Sequence, residues 1–170
     1  LGGGGVVTTV VSNGGLARAL ERSGILCTRT QVGDKYVAEE MARRGALLGG
    51  EPSGHIVFRK YATTGDGILT ALRVAEIVLE RKCPLSFLTR GYVPLPQKKR
   101  DVPVPGGAAI LEREDVRAAI ARAQGEDVRM VVRASGTEPV VRILAEGDEA
   151  AAEGALRLVE RAVRAAAEEL

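Results

Sequence analysis

The sequence contains little of what several classes of protein depend on. It has no tryptophan, and aromatic residues make up only 3% of its 170 residues, which argues against recognition of single-stranded nucleic acid by base stacking. His55 is the only histidine, so the chain cannot build a zinc site from several histidines. No apolar run approaches the ~18 residues of a membrane-spanning helix. We therefore expect neither a nucleic-acid nor a membrane partner.

Cysteine is also scarce. Cys27 and Cys83 lie far apart and form no Cys-x-x-Cys pair, so we expect free thiols and no disulfide framework or metal site. Free thiols are typical of a reducing compartment, and we expect a cytoplasmic location. The first residues, LGGGGVVTTVV, contain neither an initiator methionine nor the charged region of a signal peptide. This start indicates a piece of a longer protein.

Apolar residues make up 45% of the chain and charged residues 27%, with a formal net charge of +2, a composition typical of globular proteins. Strand-like and helix-like segments alternate over the first 90 residues. This alternation predicts an α/β domain with a mixed, mainly parallel sheet over residues 1–90. In its second helix we expect Asp34 to be the N-cap and Val37 and Met41 to share one face. In its third helix, Ile68, Leu72, Ala75 and Leu79 form an apolar stripe.

Prolines crowd the region after residue 83, and we place a domain boundary near residues 88–92. Beyond it the pattern predicts an edge strand within residues 92–104, a helix over 112–124, two strands, and a terminal helix over 149–168. Leu156, Val159 and Val163 line one face of that last helix. This order predicts a small α+β domain with an antiparallel sheet over residues 91–170.

The stretch RASGTEPVVR, residues 133–142, lies between the two predicted strands of this second domain. Arg133 supplies a guanidinium fork, Ser135 and Thr137 supply hydroxyl groups, and Gly136 allows close approach to the backbone. Arg142 would bring a second guanidinium along the returning strand. Together these groups suit a phosphate dianion. The alternative is an ordinary hairpin turn in which Glu138 and Arg142 form a surface ion pair.

The stretch GGEPSGHIVF, residues 49–58, combines polar side chains with a glycine-rich loop that leads into a strand. Glu51 can accept hydrogen bonds from vicinal hydroxyl groups, whereas Ser53 and His55 can donate or accept. This set suits the hydroxyl edge of a sugar. The alternative is an exposed turn with a structural histidine.

Three shorter stretches have structural explanations. In TTGDG, residues 63–67, Thr64 or Asp66 can cap the following helix. VGDKY, residues 32–36, resembles a capped helix start, and contact with a ligand is the alternative. QKKR, residues 97–100, is typical of a solvated edge that deters strand pairing, although a stand-alone RNA-binding module could also use it.

Taken together and in this order, VGDKY, GGEPSGHI, TTGDGI and RASGTEPVVRI resemble the C-terminal half of the α-D-phosphohexomutase superfamily, and within it the bacterial phosphoglucosamine mutases. The similarity runs over nearly all of the chain, and the pair GE-x-SGH and R-x-SGTEP-xx-R is specific. Two positions depart from the usual family pattern. Lys35 replaces an arginine and loses its bidentate fork, and Pro52 stiffens the sugar loop.

The resemblance implies a four-domain enzyme of which this chain is domains three and four, the last of a TATA-box-binding-protein-like fold. The phosphoserine and magnesium loops of the first two domains do not occur here, so we expect the fragment alone to be inactive. The resemblance implies two sets of substrate-binding residues and no catalytic or metal-binding residue. The sugar-binding set is Glu51, Ser53 and His55; the phosphate-binding set is Arg133, Ser135, Gly136, Thr137 and Arg142.

The resemblance also implies the reaction and the partners. Full-length members of the phosphoglucosamine mutase family interconvert glucosamine 6-phosphate and glucosamine 1-phosphate for amino-sugar nucleotide and cell-wall precursor synthesis. They use Mg²⁺ and a phosphoserine, with glucosamine or glucose 1,6-bisphosphate as intermediate or activator. The partners implied are the phosphosugar, the missing N-terminal domains and a homodimer of the complete enzyme. Phosphoglucomutase or phosphomannomutase activity is the alternative within the superfamily.

Overall fold

The computed structural model describes residues 4–104 and 107–169, and the chain divides into two compact units, Leu1–Pro94 and Leu95–Leu170. The first unit contains a four-stranded sheet with the order β2-β1-β3-β4. Its strands are β1 (Val6–Thr9), β2 (Cys27–Thr30), β3 (Leu48–Gly50) and β4 (Ile56–Phe58). Strand β1 runs parallel to β2 and β3, whereas β4 runs antiparallel to β3. The mixed, mainly parallel sheet predicted from the sequence is confirmed.

Four helices accompany this sheet: α1 (Gly14–Arg22), α2 (Asp34–Arg44), α3 (Gly67–Arg81) and the short α4 (Leu85–Leu88). Helix α2 covers one face of the sheet, where Val37 and Met41 are fully buried with Val7 and Val57. The expectation that Val37 and Met41 share a face is therefore confirmed, and that face is the core of the unit.

Strand β3 was not predicted, because the sequence pattern assigns the glycines of the stretch GGEPSGHIVF to a loop that leads into a strand. Two of the three residues of β3 are glycines, which are rare in strands. Helix α2 explains Gly49, since a Cβ atom there would lie 2.5 Å from Met41 Sδ and 2.8 Å from Val37 Cγ1. Only a glycine lets the helix pack this closely on the strand.

The helix caps agree only in part with the sequence. Asp66 caps α3 as predicted, and its carboxylate accepts a hydrogen bond from Leu69 N at 2.9 Å. The prediction that Asp34 caps α2 is wrong: the N-cap is Gly33, and Asp34 Oδ1 accepts from the adjacent Lys35 N at 2.8 Å. Asp34 is itself the first helical residue, where a carboxylate still favours the helix through its dipole.

The second unit contains three antiparallel strands in the order β5-β7-β6 and two helices on one face. Its elements are β5 (Gln97–Pro103), a short 3₁₀ helix (Ala109–Glu112), α5 (Glu114–Ala123), β6 (Val128–Ala134), β7 (Val140–Gly147) and α6 (Glu149–Glu168). Strand β5 is an edge strand, as its prolines predict. The predicted antiparallel α+β arrangement is confirmed.

The core of this unit lies between the sheet and α6. Alternate residues of β7, Val141, Ile143 and Ala145, are buried together with the predicted stripe of α6, Leu156, Val159 and Val163. The residues between them on β7, including Arg142, consequently point to the other face of the sheet. This alternation decides which side of the sheet the arginines occupy.

Both cysteines are free thiols, as predicted. Burial raises the pKa of the Cys27 thiol, and the nearby Arg29 opposes this only in part, so Cys27 is a poor nucleophile. Within residues 4–104 and 107–169, no helix is long and apolar enough to cross a bilayer.

Candidate functional site

The GEPSGH loop, residues 50–55, joins the antiparallel strands β3 and β4 of the first unit. Its backbone closes on itself: Glu51 N donates to His55 O at 3.0 Å, and Gly54 N donates to Glu51 O at 3.1 Å. Gly54 has a φ of +94°, which favours glycine at this turn. Because the backbone bonds to itself, the side chains of Ser53 and His55 are left exposed, and Glu51 is half-buried.

The three predicted sugar-binding residues form one hydrogen-bonded group. The carboxylate of Glu51 accepts from Gly33 N at 2.8 Å through Oε1 and from Ser53 Oγ at 3.1 Å through Oε2. Ser53 Oγ also lies 3.0 Å from His55 Nδ1. Since Gly33 is the N-cap of α2, the carboxylate of Glu51 lies at the N-terminal end of that helix. The result is a fixed carboxylate beside a hydroxyl and an imidazole, a set that can bind vicinal hydroxyl groups.

Two contacts that the sequence did not predict support this loop from behind. The buried Thr8 donates from Oγ1 to Gly50 O at 3.0 Å. Gly65, in the TTGDG stretch, packs on the histidine: a Cβ atom there would lie 3.0 Å from His55 Cβ. The glycines of TTGDG were the sequence signal that another segment packs closely on this stretch, but they do not show that this segment carries His55.

The RASGTEP loop, residues 133–139, joins β6 and β7 of the second unit. Arg133 on β6 lies directly opposite Arg142 on β7 in the strand register. Opposite residues of an antiparallel pair share a face of the sheet. For these two arginines it is the face away from α6, since the neighbouring Val132 and Val141 pack into the core. The structure thus brings the two predicted guanidinium-bearing residues to one side of the sheet.

The turn itself presents hydroxyl groups and backbone amides. Ser135 N donates to Val140 O at 2.9 Å, which closes the turn, while Ser135 Oγ lies 3.5 Å from Thr137 N. Gly136 and Thr137 are exposed. No described atom lies within 4 Å of the position that a Cβ atom on Gly136 would take. Arg133 bends towards this turn, with Nη1 3.4 Å from Ala134 O.

Arg142 is held by two carboxylates. It forms an ion pair with Glu138, and its Nε lies 3.9 Å from Asp101 Oδ2. The ion pair expected for an ordinary hairpin is therefore present in addition to the predicted phosphate-binding groups. The buried Nε of Arg142 has no hydrogen-bond partner among the described residues. Asp101 was missed by the sequence reasoning because its proximity depends on the pairing of β5 with β7.

The basic run QKKR forms part of β5, and two of its three cations pair with acidic residues of α6. Lys98 Nζ lies 2.7 Å from Glu149 Oε1. Arg100 lies 3.6 Å from Glu153 and 3.4 Å from Glu160. These contacts largely neutralise the run, as expected for a solvated edge and not for a surface that attracts RNA.

A cavity of about 380 Å³ opens beside Glu51 in the first unit. Its walls are mostly apolar and come from β1, β3, α1 and Tyr92, so it offers few groups that could bind a sugar phosphate. No group of three or more His, Cys, Asp or Glu side chains among the described residues could hold a metal ion.

Comparisons with known proteins agree with this division of the chain. Residues 1–94 match the family model described as phosphoglucomutase/phosphomannomutase, alpha/beta/alpha domain III. Residues 92–163 match the model described as phosphoglucomutase/phosphomannomutase, C-terminal domain. The two models together cover nearly the whole chain.

Curated relatives include two proteins named phosphoglucosamine mutase. The one from Chelativorans sp. (strain BNC1) is 47% identical over 150 residues, which are 86% of this chain and 33% of the relative. The one from Lachnospira eligens is 50% identical over 144 residues, which are 83% of this chain and 32% of the relative. The chain thus spans about a third of the length of these relatives.

The fold also matches solved structures. A crystal structure of Aspergillus fumigatus N-acetylphosphoglucosamine mutase, in complex with GlcNAc-6P and magnesium, superposes with a TM-score of 0.81 at 23% identity. The match covers 96% of this chain and 38% of that one. At this identity the likeness concerns the fold alone.

Proposed function

The chain belongs to the phosphoglucomutase/phosphomannomutase family, and on this basis we propose that it is the substrate-anchoring part of a phosphoglucosamine mutase. The complete enzyme would interconvert glucosamine 6-phosphate and glucosamine 1-phosphate. Two relatives of that name, 47% and 50% identical to this chain, support the choice of amino sugar. Glucose phosphates and mannose phosphates are the alternative substrates within the family.

The observation that carries the proposal is the pairing of Arg133 with Arg142 beside an open turn. Like charges directly opposite on antiparallel strands repel each other, so the pair weakens the hairpin unless an anion lies near both. Glu138 and Asp101 offset the charge of Arg142. Among the described residues, the guanidinium of Arg133 has a single weak contact, 3.4 Å long, with a backbone carbonyl, and is thus available to a phosphate.

We assign the phosphate to the RASGTEP loop. Arg133 donates two parallel hydrogen bonds to it, as guanidinium groups commonly do with phosphate. Ser135, Thr137 and the exposed backbone of Gly136 add neutral donors. Arg142 turns from Glu138 to the phosphate, because a dianion attracts it more strongly than one exposed carboxylate does. This loop recognises charge, so it can hold whichever phosphate is not being transferred.

We assign the sugar to the GEPSGH loop. The Glu51 carboxylate is fixed by Gly33 and Ser53 and accepts hydrogen bonds from two vicinal hydroxyl groups. Ser53 and His55 contact the same edge of the ring. Because the carboxylate accepts hydrogen bonds from two hydroxyl groups, it can bind the sugar in both of the orientations that a mutase requires.

The remaining chemistry belongs to the part of the enzyme outside this chain. In the proposed enzyme a phosphoserine exchanges phosphoryl groups with the sugar through a bisphosphate intermediate, and Mg²⁺ compensates the charge of the transferred group. Phosphoryl transfer depends chiefly on positioning and charge compensation, and this chain supplies the positioning. We further propose that the enzyme is cytoplasmic, that it is phosphorylated on that serine and that its product serves cell-wall precursor synthesis.

A chimera tests this proposal. The 170-residue chain replaces the corresponding third of the Chelativorans phosphoglucosamine mutase, and turnover of glucosamine and glucose phosphates is measured. We expect faster turnover of glucosamine phosphates, and none from the chain alone. Arg133→Gln should raise KM roughly 10- to 100-fold through the loss of charged hydrogen bonds. Arg117→Gln, on the exposed face of α5, is the matched control.

Two results would contradict the proposal. The first is a preference of the chimera for glucose phosphates, which would favour phosphoglucomutase activity. The second is an unchanged KM in the Arg133→Gln chimera, which would remove the phosphate from the RASGTEP loop.

A further inference from the structure

Helix α3 is apolar on two opposite sides. Leu69, Val74 and Val78 are half-buried on the side that faces its own unit. On the other side lie Ile68, Leu72, Ala75 and Leu79, here called the α3 stripe. Although the structure describes all of α3, none of its residues is buried.

The α3 stripe is strongly exposed. The exposed fractions are 78% for Ile68, 64% for Leu72 and 75% for Leu79. Single exposed leucines are common on protein surfaces, but an aligned row of large aliphatic side chains marks an interaction surface. A helix that is apolar on both sides is normally covered on both sides. The sequence pattern was therefore right about the stripe, and no residue of the stripe is buried within its own unit.

We infer that the α3 stripe is the docking surface for the N-terminal part of the full-length enzyme. The chain matches family domain III and the C-terminal domain and spans only 33% of the Chelativorans relative, so about two thirds of such an enzyme lie outside it. That missing polypeptide is long enough to supply a domain that covers the stripe. The inference rests on the proposed function only in taking the chain as part of a complete phosphohexomutase.

Docking on α3 also has a consequence for the sugar site. Helix α3 begins at its cap Asp66, and the preceding Gly65 packs directly on His55. Asp66 N lies 3.4 Å from Ile56 O, next to the same histidine. A domain seated on α3 is thereby tied through one turn of backbone to the GEPSGH loop, so the surface fixes that loop relative to the part that supplies the phosphoserine.

A binding experiment tests this inference. The 170-residue chain is titrated by calorimetry with the separately produced N-terminal two thirds of the Chelativorans phosphoglucosamine mutase. We expect a one-to-one complex whose Kd rises at least about a hundredfold in the double variant Leu72→Glu, Leu79→Glu, because two apolar side chains lose their burial. Both positions are exposed in the chain, so its own melting temperature should not change.

The matched control is Leu26→Glu. Leu26 is 56% exposed and precedes β2, at the opposite edge of the sheet from β4 and α3. This variant should bind like the unmodified chain. Sedimentation velocity of the chain alone shows whether a second copy occupies the stripe instead.

Three outcomes would overturn the inference. The unmodified chain forms no complex with the N-terminal part, or the double variant binds that part as tightly as the unmodified chain does. In the third, the double variant loses self-association but not its binding to the N-terminal part. A complex that forms and responds as expected but has no mutase activity would support the docking surface and contradict the proposed function.

Discussion

The fold itself does not require a glycine at position 136. The φ of Gly136 lies outside the left-handed region, and no described atom would touch a Cβ atom there. Gly49 is the opposite case, since helix α2 leaves no room for a side chain. At the turn of the RASGTEP loop, a glycine lets a ligand approach the backbone closely. The phosphate assigned to the RASGTEP loop is such a ligand.

Gly136→Ala therefore separates binding from stability. We expect unchanged or slightly higher stability, by up to about 1 kcal/mol, because alanine restricts the unfolded chain. Affinity for glucosamine 6-phosphate should fall at least about tenfold, since an added methyl group blocks the backbone donors. Thermal unfolding and calorimetry measure the two quantities.

Gly125→Ala is the control for this variant. Gly125 also has open space around it and lies outside the left-handed region, but it belongs to the turn between α5 and β6. Gly125→Ala should leave the affinity for glucosamine 6-phosphate unchanged. Its stability should change only by the up to about 1 kcal/mol that alanine contributes by restricting the unfolded chain. Equal affinity of the Gly136→Ala chain and the unmodified chain would show that no ligand approaches this glycine.

Sequence reasoning located the polar residues of both loops but not the contacts that hold them. Glu51 and Ser53 stand out because they interrupt a glycine-rich stretch. The N–H group of Gly33 and the hydroxyl group of Thr8 hold the same loop, yet neither has a local signature, since each acts on a residue from a distant part of the chain. The error at Asp34 is one of register, because α2 begins at Asp34 itself, one residue earlier than the capping pattern predicts.

At the scale of helices and strands, periodicity predicts elements that pack within their own unit. Strands β6 and β7 and the stripe of α6 follow their patterns because one face of each packs into the core. Strand β3 escaped prediction because its glycines follow from close packing and not from strand preference: Gly49 packs against Met41, and Gly50 against Ile56 and His55. Helix α4, with four residues, is too short to show a period.

Helix α2 allows a test of electrostatics. Glu40 accepts hydrogen bonds from Arg43 at 2.6 Å and Arg44 at 2.5 Å. These bonds lower the pKa of Glu40 from 4.5 to about 2, and the bond from Arg43 has the larger effect. Because the folded-state pKa is lowered, ionised Glu40 stabilises the chain above pH 4.5, and this contribution is lost as the pH falls towards 2.

Glu40→Gln should consequently lower the melting temperature at pH 7, and the difference from the unmodified chain should shrink below pH 4.5, the ordinary pKa of the group. Thermal unfolding followed by circular dichroism across this range measures it. Glu39→Gln is the control, since Glu39 is exposed and its single ion pair with Lys35 is 3.9 Å long. A difference that stays constant down to pH 3 would contradict the assigned role of Glu40.

At the scale of the whole molecule, each unit carries one of the two proposed binding loops. The first holds a fixed carboxylate suited to hydroxyl groups, and the second holds arginines and hydroxyls suited to a dianion. Both sheets and the family were predictable from sequence because the motifs are local and their order is specific. The partner proposed for the α3 stripe was not predictable, because an exposed apolar row does not by itself identify what covers it.

The central claim is that the RASGTEP loop binds the phosphate of a sugar phosphate, and an NMR titration of the ¹⁵N-labelled chain tests it most directly. Glucosamine 6-phosphate should shift the amide signals of Ser135, Gly136 and Thr137, whereas glucosamine without phosphate should leave them in place. The shifts should disappear in the Arg133→Gln chain. Amide signals that stay unchanged on addition of the phosphosugar, or that shift equally without Arg133, would contradict the account.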